Sequence, residues 1–162
     1  MSTIAMTLNT FLHDLFTAVW IGGLIIIGIT VMPAARQALG KGPQMKKLMD
    51  TIQKRHSVYV YVSIAGLLVT GVIQAKQAAA FQGLFRVGNA YSAALTFKHI
   101  LVLIMIAIAL YRSLVLGSKG KQSTPAREKL SVRLLFLNII LGIAVLLASG
   151  FTAALSAGSP LV

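Results

Sequence analysis

The sequence contains no cysteine and little charge, and both absences restrict what the protein can be. Without cysteine it has no disulfide framework, no thiolate metal site and no C-x-x-C-H motif for covalently attached haem. Charged residues make up 11% of the 162 residues, whereas soluble domains typically carry about 25%. Hydrophobic residues make up 57%. This composition indicates an integral membrane protein.

Long charge-free runs are the more direct sign of membrane spans. The runs 15–35, 56–75 and 134–162 contain 21, 20 and 29 residues without a charge. Each is long enough to cross a hydrocarbon core of about 30 Å as a helix. A fourth apolar run is interrupted only near its ends, by Lys98 and Arg112, whose long side chains can reach the headgroups.

These runs predict an all-α integral membrane protein with a single domain over residues 1–162. The four transmembrane helices are expected at about 10–32, 56–76, 93–117 and 132–155. Because the connections between them are short, we expect an up-down-up-down bundle of antiparallel neighbours.

Two features outside the spans add detail to this prediction. Met45, Leu48, Met49 and Ile52 recur at the spacing of one helix face, which predicts an amphipathic helix lying on the membrane surface before the second span. Pro125 follows a polar stretch after the third span and predicts that the third and fourth helices are separate.

The basic residues are concentrated on two connections. The net charge is +12, and twelve lysines and arginines lie around the first and third connections: Arg36, Lys41, Lys46, Lys47, Lys54, Arg55, Arg112, Lys119, Lys121, Arg127, Lys129 and Arg133. The positive-inside rule places both connections in the cytoplasm and both termini outside. The pattern predicts a multi-pass protein of a bacterial inner membrane, and it explains the basic charge without a nucleic-acid partner.

The three histidines are sorted by this topology. His13 and His99 lie near the external ends of helices 1 and 3, which are diagonal partners in such a bundle, whereas His56 lies near the opposite face. Two histidines at matched depth on diagonal helices can hold a haem between them. We therefore hypothesise one b-type haem with His13 and His99 as its metal ligands. The alternative for each histidine is hydrogen bonding at an interfacial helix end, which is the favoured interpretation for His56.

Neighbouring residues extend the hypothesised haem site. Trp20 and Gly23 share a helical stripe with His13 and are candidates for lining the cofactor, although close helix packing is the favoured interpretation of the glycine. Lys98 and Arg86 are candidates for contacting the haem propionates, although snorkelling to the headgroups also explains Lys98.

Two further groups of polar residues lie within the spans. Ser63, Gly66 and Thr70 form a small stripe on helix 2 that favours helix–helix contact, with a cofactor slot as the alternative. Near the inner face, four side chains form a hypothetical pocket for a quinone head group: His56, Tyr59, Arg112 and Asn138.

Four segments resemble the helices of the CopD-type copper-resistance membrane domain over about residues 12–155. They read LHDLFTAVWIGGLIIIGITVMPA, with its His-x6-Trp-x-Gly-Gly pattern, RHSVYVYVSIAGLLVTGVIQA, FKHILVLIMIAIALYRSLVLG and LLFLNIILGIAVLLASGF. The His-x6-Trp spacing and a lysine in helix 3 are also similar to HemJ-type protoporphyrinogen oxidases. In these resemblances His13 corresponds to the family histidine of helix 1, and Lys98 loosely to the helix-3 lysine.

Several functions remain open at this point. The leading hypothesis is electron transfer through haem b between a quinone pool and an external partner such as a periplasmic cytochrome, alone or within a larger membrane complex. The CopD resemblance implies copper binding or transport instead, but Met32 and Met105 are the only thioethers in the spans, which counts against a copper pathway. The HemJ similarity implies an enzyme that oxidises protoporphyrinogen, and the last alternative is a membrane anchor without a cofactor.

Overall fold

Four long helices make up the fold in the computed structural model, which describes residues 2–78, 81–117 and 124–157. They are α1 (Thr3–Leu39), α2 (Pro43–Gln77), α3 (Ala90–Leu116) and α4 (Pro125–Ser156). Each is long and apolar enough to cross a membrane, and the described residues form no strand. The prediction of an all-helical membrane fold with four spans is confirmed.

Side-chain caps and prolines set where the helices begin. The Ser2 hydroxyl accepts a hydrogen bond from the Ala5 amide at 3.3 Å, and the Asn89 side chain accepts one from the Ser92 amide at 2.7 Å. Thr124 caps α4, where Pro125 occupies the first turn, a position that needs no amide hydrogen. Residues 118–123 of the predicted hinge, with Lys119 and Lys121, lie outside the described residues.

Helix α1 runs through Pro33 and does not end near it as expected. A π-helical segment, Ile26–Val31, directly precedes Met32 and Pro33. A proline inside a helix lacks an amide donor and its ring collides with the preceding turn. The wider π-helical turn accommodates that ring, so α1 continues to Leu39.

Helix α2 includes the stretch that was expected to lie on the membrane surface. Pro43 stands at its first turn, and the helix then continues without a break to Gln77. The expectation of a separate surface helix is therefore wrong. No glycine or proline separates the amphipathic stretch from the span, so helical hydrogen bonding propagates through both.

The helices pack as two hairpins. The most extensive contacts join α1 to α2 and α3 to α4, whereas α1–α4 and α2–α3 contacts are fewer. Helices α1 and α3 are therefore diagonal in the bundle. We call the side with residue 2, the α2–α3 connection and the end of α4 the terminal side, and the opposite side, where the α1–α2 connection lies, the basic side.

Large side chains fill the bundle interior, and glycines let the helices approach closely. The buried core comprises Trp20, Ile21, Leu24, Val60, Leu101, Met105, Leu135, Ile139 and Val145. Between α1 and α2, the Phe16 ring occupies the space where a Cβ at Gly66 would lie, 2.2 Å from Cε2. Many apolar side chains remain exposed on the outside, including Ile4, Val69 and Leu147. A surface this apolar suits lipid.

Candidate functional site

His13 is held by a hydrogen-bond relay between α1 and α2. Its Nδ1 lies 2.8 Å from Thr70 Oγ1, and Thr70 Oγ1 donates to the Gly66 carbonyl at 2.7 Å. The Thr70 hydroxyl has a single hydrogen. Because it donates that hydrogen to the Gly66 carbonyl, its oxygen accepts a hydrogen bond from the Nδ1–H group of His13. The relay therefore fixes the tautomer of the neutral imidazole and leaves a lone pair on Nε2.

Two further contacts define the surroundings of His13. Asn9 Nδ2 donates to the Thr70 carbonyl at 3.1 Å, which ties the next turn of α1 to the same point of α2. The imidazole also lies over Gly71, where a Cβ would be 3.3 Å from Cε1. Lys98 of α3 is near enough for its positive charge to act on the ring. Three helices therefore contribute to the environment of His13.

The helix register places His99 at a similar depth. Gly142 lies against both Ile21 and Met105, because a Cβ there would be 3.0 Å from Ile21 Cγ2 and 3.4 Å from Met105 Cε. Ile21 and Met105 are therefore at about the same depth. Because α1 and α3 run in the same direction, His13, eight residues before Ile21, is roughly level with residue 97, eight residues before Met105. His99 is therefore within about one helical turn of His13 along the bundle axis.

The α2–α3 connection partly covers His99. The Phe85 ring lies 6.0 Å from the imidazole, centroid to centroid, at a tilt of 54°. Phe85 adopts φ 61°, a left-handed conformation that is strained for an aromatic residue. Nδ1 of His99 is buried, and the Leu95 backbone, one turn earlier in α3, interacts with the ring. The His99 imidazole is therefore held between its own helix and Phe85.

Trp20 and Met105 lie in the middle of the bundle. Their exposed fractions are 2% and 1%, and both belong to the hydrophobic core. Trp20 Nε1 is buried and finds no acceptor in the described part of the chain. Trp20 therefore packs the interior below His13.

Gly23 packs against His56 of α2. A Cβ at Gly23 would lie 2.3 Å from His56 Cε1 and 3.0 Å from its Nδ1, so only a glycine admits the ring at this point. A Cβ at the neighbouring Gly22 would have no other atom within 4 Å. The stripe from His13 to Gly23 therefore contacts different residues of α2: Thr70 at one end and His56 at the other.

A second polar cluster lies towards the basic side. His56 Nε2 and Arg112 Nε are buried with no hydrogen-bond partner in the ranges described, and the charge of Arg112 acts on His56. Gln53 donates to the Arg112 carbonyl at 3.4 Å. Asn138 of α4 is 0% exposed, and both polar atoms of its amide are likewise unpaired among the described residues.

The remaining predicted site residues are exposed. Tyr59 follows His56 by three residues on α2 and is 61% exposed, so most of its side chain lies on the outside of the bundle. Arg86 is exposed on the α2–α3 connection, where its carbonyl accepts a hydrogen bond from Thr96 Oγ1 at 2.8 Å. Among the described residues, no group of three or more histidine, cysteine, aspartate or glutamate side chains is arranged to hold a metal ion.

Two open grooves run along the outside of the bundle between α1 and α4. One, of about 370 Å³, is lined by residues that include Asp14, Gly22 and Leu146; the other, of about 400 Å³, includes Met32 and Phe136. No histidine is among the described residues that line either groove. Neither groove corresponds to the haem slot expected between His13 and His99.

Residues 50–154 match the family model described as copper resistance protein D. The matched region covers most of α2, all of α3 and nearly all of α4. It begins after α1 and therefore does not include His13. The comparisons with curated proteins and with solved structures gave no significant match.

Proposed function

Because the chain belongs to the copper resistance protein D family, we propose that it binds copper in the terminal-side half of its bundle and contributes to copper resistance. His13 and His99 are the metal ligands in this proposal, and copper is the substrate. The proposed location of the copper site is the outer face of a bacterial inner membrane, which the distribution of basic residues favours by the positive-inside rule.

The state of the His13 imidazole is the observation that carries the proposal. Metal-bound histidines use one ring nitrogen for the metal, while the other donates a hydrogen bond that fixes the ring. Nδ1 of His13 has such an acceptor in Thr70 at 2.8 Å, which leaves Nε2 available. Imidazole nitrogen is also a suitable ligand for copper.

His99 and Met105 supply the next donors towards the bundle centre. The His99 imidazole lies beside Phe85 of the α2–α3 connection, at a depth close to that of His13. Met105 places a thioether in the core, and thioethers favour Cu(I). A transported ion must bind weakly enough to be released, so a small number of ligands at each position along the path suits copper transport.

Copper explains the surroundings of His13 better than haem does. The haem hypothesis placed Trp20 and Gly23 along the macrocycle, but Trp20 is in the core and Gly23 lies against His56. The family match supports copper handling and gives no support to haem, a quinone or a cytochrome partner.

The direct test is the metal content and visible spectrum of the purified full-length chain. We expect a preparation that binds Cu(I) in a defined ratio and shows no haem bands in the reduced-minus-oxidised spectrum. Sharp low-spin haem bands without copper binding would overturn the proposal. A colourless protein that binds no copper would also overturn it and favour the membrane-anchor alternative.

Thr70→Val is expected to weaken copper binding while His13 remains in place. The valine removes the hydroxyl that accepts from Nδ1–H, so the ring loses the interaction that sets its tautomer and orientation. Loss of such an outer partner typically reduces metal affinity by about 10- to 100-fold. A competition titration against a Cu(I) chelator measures this change, and Thr51→Val, on the exposed basic-side part of α2, is the control. Equal affinity in Thr70→Val and the wild type would contradict the role of the relay.

Lys98→Gln is expected to strengthen copper binding by roughly threefold to tenfold. The lysine charge acts on His13 and opposes any cation held there, and its removal lowers that repulsion. A haem site would respond in the opposite direction, because Lys98 would then pair with an anionic propionate. The Cu(I) titration measures the first change and a haem titration of the same variant measures the second. Tighter copper binding in Lys98→Gln supports copper, and weaker haem binding supports haem.

A further inference from the structure

The groove between α1 and α4 on the basic side has apolar walls and a basic mouth. Met32 and Pro33 of α1 face Val132 and Phe136 of α4 across a space of about 400 Å³, and Arg36 lies at the end nearest the basic side. Phe136 and Val132 remain 42% and 37% exposed. The groove thus offers an apolar surface to the membrane, with a cation at one end.

The helix register predicts a second cation near the depth of Arg36. Gly28 of α1 lies against Ile139 and Leu135 of α4, since a Cβ there would be 2.5 Å from Ile139 Cδ1 and 3.8 Å from Leu135 Cδ2. The two helices are antiparallel, so Arg36, eight residues beyond Gly28, lies level with about residues 127–131. Within that range, Lys129 shares the helix face of Val132 and Phe136 at spacings of three and seven.

Both cations are exposed and lie where lipid headgroups are expected. Arg36 is the first charged residue after the charge-free run 15–35, which places it at the edge of the hydrocarbon core. The Glu128 carboxylate, next to Lys129 in the chain, forms a salt bridge with Lys46 at 3.2 Å.

We propose that this groove binds one anionic phospholipid from the leaflet on the basic side. The phosphate contacts Arg36 and Lys129, and one acyl chain lies along Met32, Val132 and Phe136 towards Gly28, a length of about 12 Å along α1. Arginine binds phosphate oxygens in a fixed, bidentate geometry. Basic pockets between transmembrane helices at this face are suited to anionic headgroups. The site is independent of copper and of His13.

The proposal is tested by native mass spectrometry of the full-length chain in detergent, titrated with phosphatidylglycerol or with phosphatidylcholine of the same acyl chains. We expect one phosphatidylglycerol to bind at least about tenfold more tightly than phosphatidylcholine. Arg36→Gln with Lys129→Gln removes that preference. Lys54→Gln with Arg55→Gln, which removes the same charge from an exposed part of α2, retains it.

A third variant separates the groove from the charge. Val132→Trp fills the apolar wall and keeps both cations, so it is expected to lower phosphatidylglycerol binding by several-fold. Equal loss in the α2 control pair, or full binding in Val132→Trp, would show general attraction to basic charge and overturn the proposal. Displacement of the lipid by millimolar inorganic phosphate would overturn it as well, because the site would then bind a free anion.

Discussion

His13→Ala lowers the copper affinity of the purified full-length chain by at least about 100-fold. The variant removes the one imidazole whose tautomer is fixed by the structure, with Nδ1 donating to Thr70 and Nε2 free. Loss of an outer partner alone typically costs 10- to 100-fold, so loss of a ligand is expected to cost more. Competition between the protein and a colorimetric Cu(I) chelator measures the change.

His56→Ala is the matched control for this experiment. It removes an imidazole of the same chemistry that lies against Gly23, nearer the basic side. The proposal predicts that it retains copper affinity within about threefold. If His56→Ala loses as much affinity as His13→Ala, or if His13→Ala binds copper normally, the assignment of the site to the terminal-side half is wrong. The fold is expected to survive His13→Ala, because one hydrogen bond contributes about 1 kcal/mol to stability.

Gly23→Ala destabilises the bundle by about 1–3 kcal/mol, whereas Gly22→Ala does not. The added methyl at Gly23 would lie 2.3 Å from His56 Cε1, and the ring must move within a packed interface. Overpacking of this kind costs about that amount. At Gly22 the methyl meets nothing within 4 Å, and replacing glycine by alanine in a helix contributes up to about 1 kcal/mol of stability.

Thermal unfolding in a single detergent, followed by circular dichroism, compares the two adjacent variants. His56→Ala in the Gly23→Ala background is expected to recover most of the lost stability, because the new methyl then has room. An equal loss in Gly22→Ala, or no recovery in the double variant, would show that contact with His56 is not the cause.

The four spans could be predicted because three contain long charge-free runs and the other is interrupted only near its ends, by Lys98 and Arg112, but the ends of the helices could not. Charged residues indicate where a helix reaches the lipid headgroups. They do not indicate whether the helix continues beyond them into water. The stretch from Met45 to Ile52 is therefore part of the same continuous helix as the span, Pro43–Gln77. Pro33 was expected to end α1, yet the π-helical segment before it accommodates the ring, and no sequence pattern announces such a segment.

The candidate site was predicted in part. His13 and His99 stood out because polar residues in spans are rare, and the approximate depth of each follows from the topology. The partners of His13 were missed, because Thr70 was assigned to a stripe of small residues and Asn9 was not considered. An antiparallel register for α1 and α2 would have brought them together, since residues near 13 then face residues near 70. For Tyr59 the depth was predictable from the topology, but the exposure of its side chain on the outside of the bundle was not.

Copper K-edge X-ray absorption of the copper-loaded full-length chain shows whether His13 binds the metal. We expect nitrogen neighbours at about 2 Å from the copper with the outer-shell scattering of imidazole rings, and we expect this imidazole signal to fall in His13→Ala but not in His56→Ala. A copper environment without imidazole, or one unchanged by His13→Ala, would contradict the proposed role of His13.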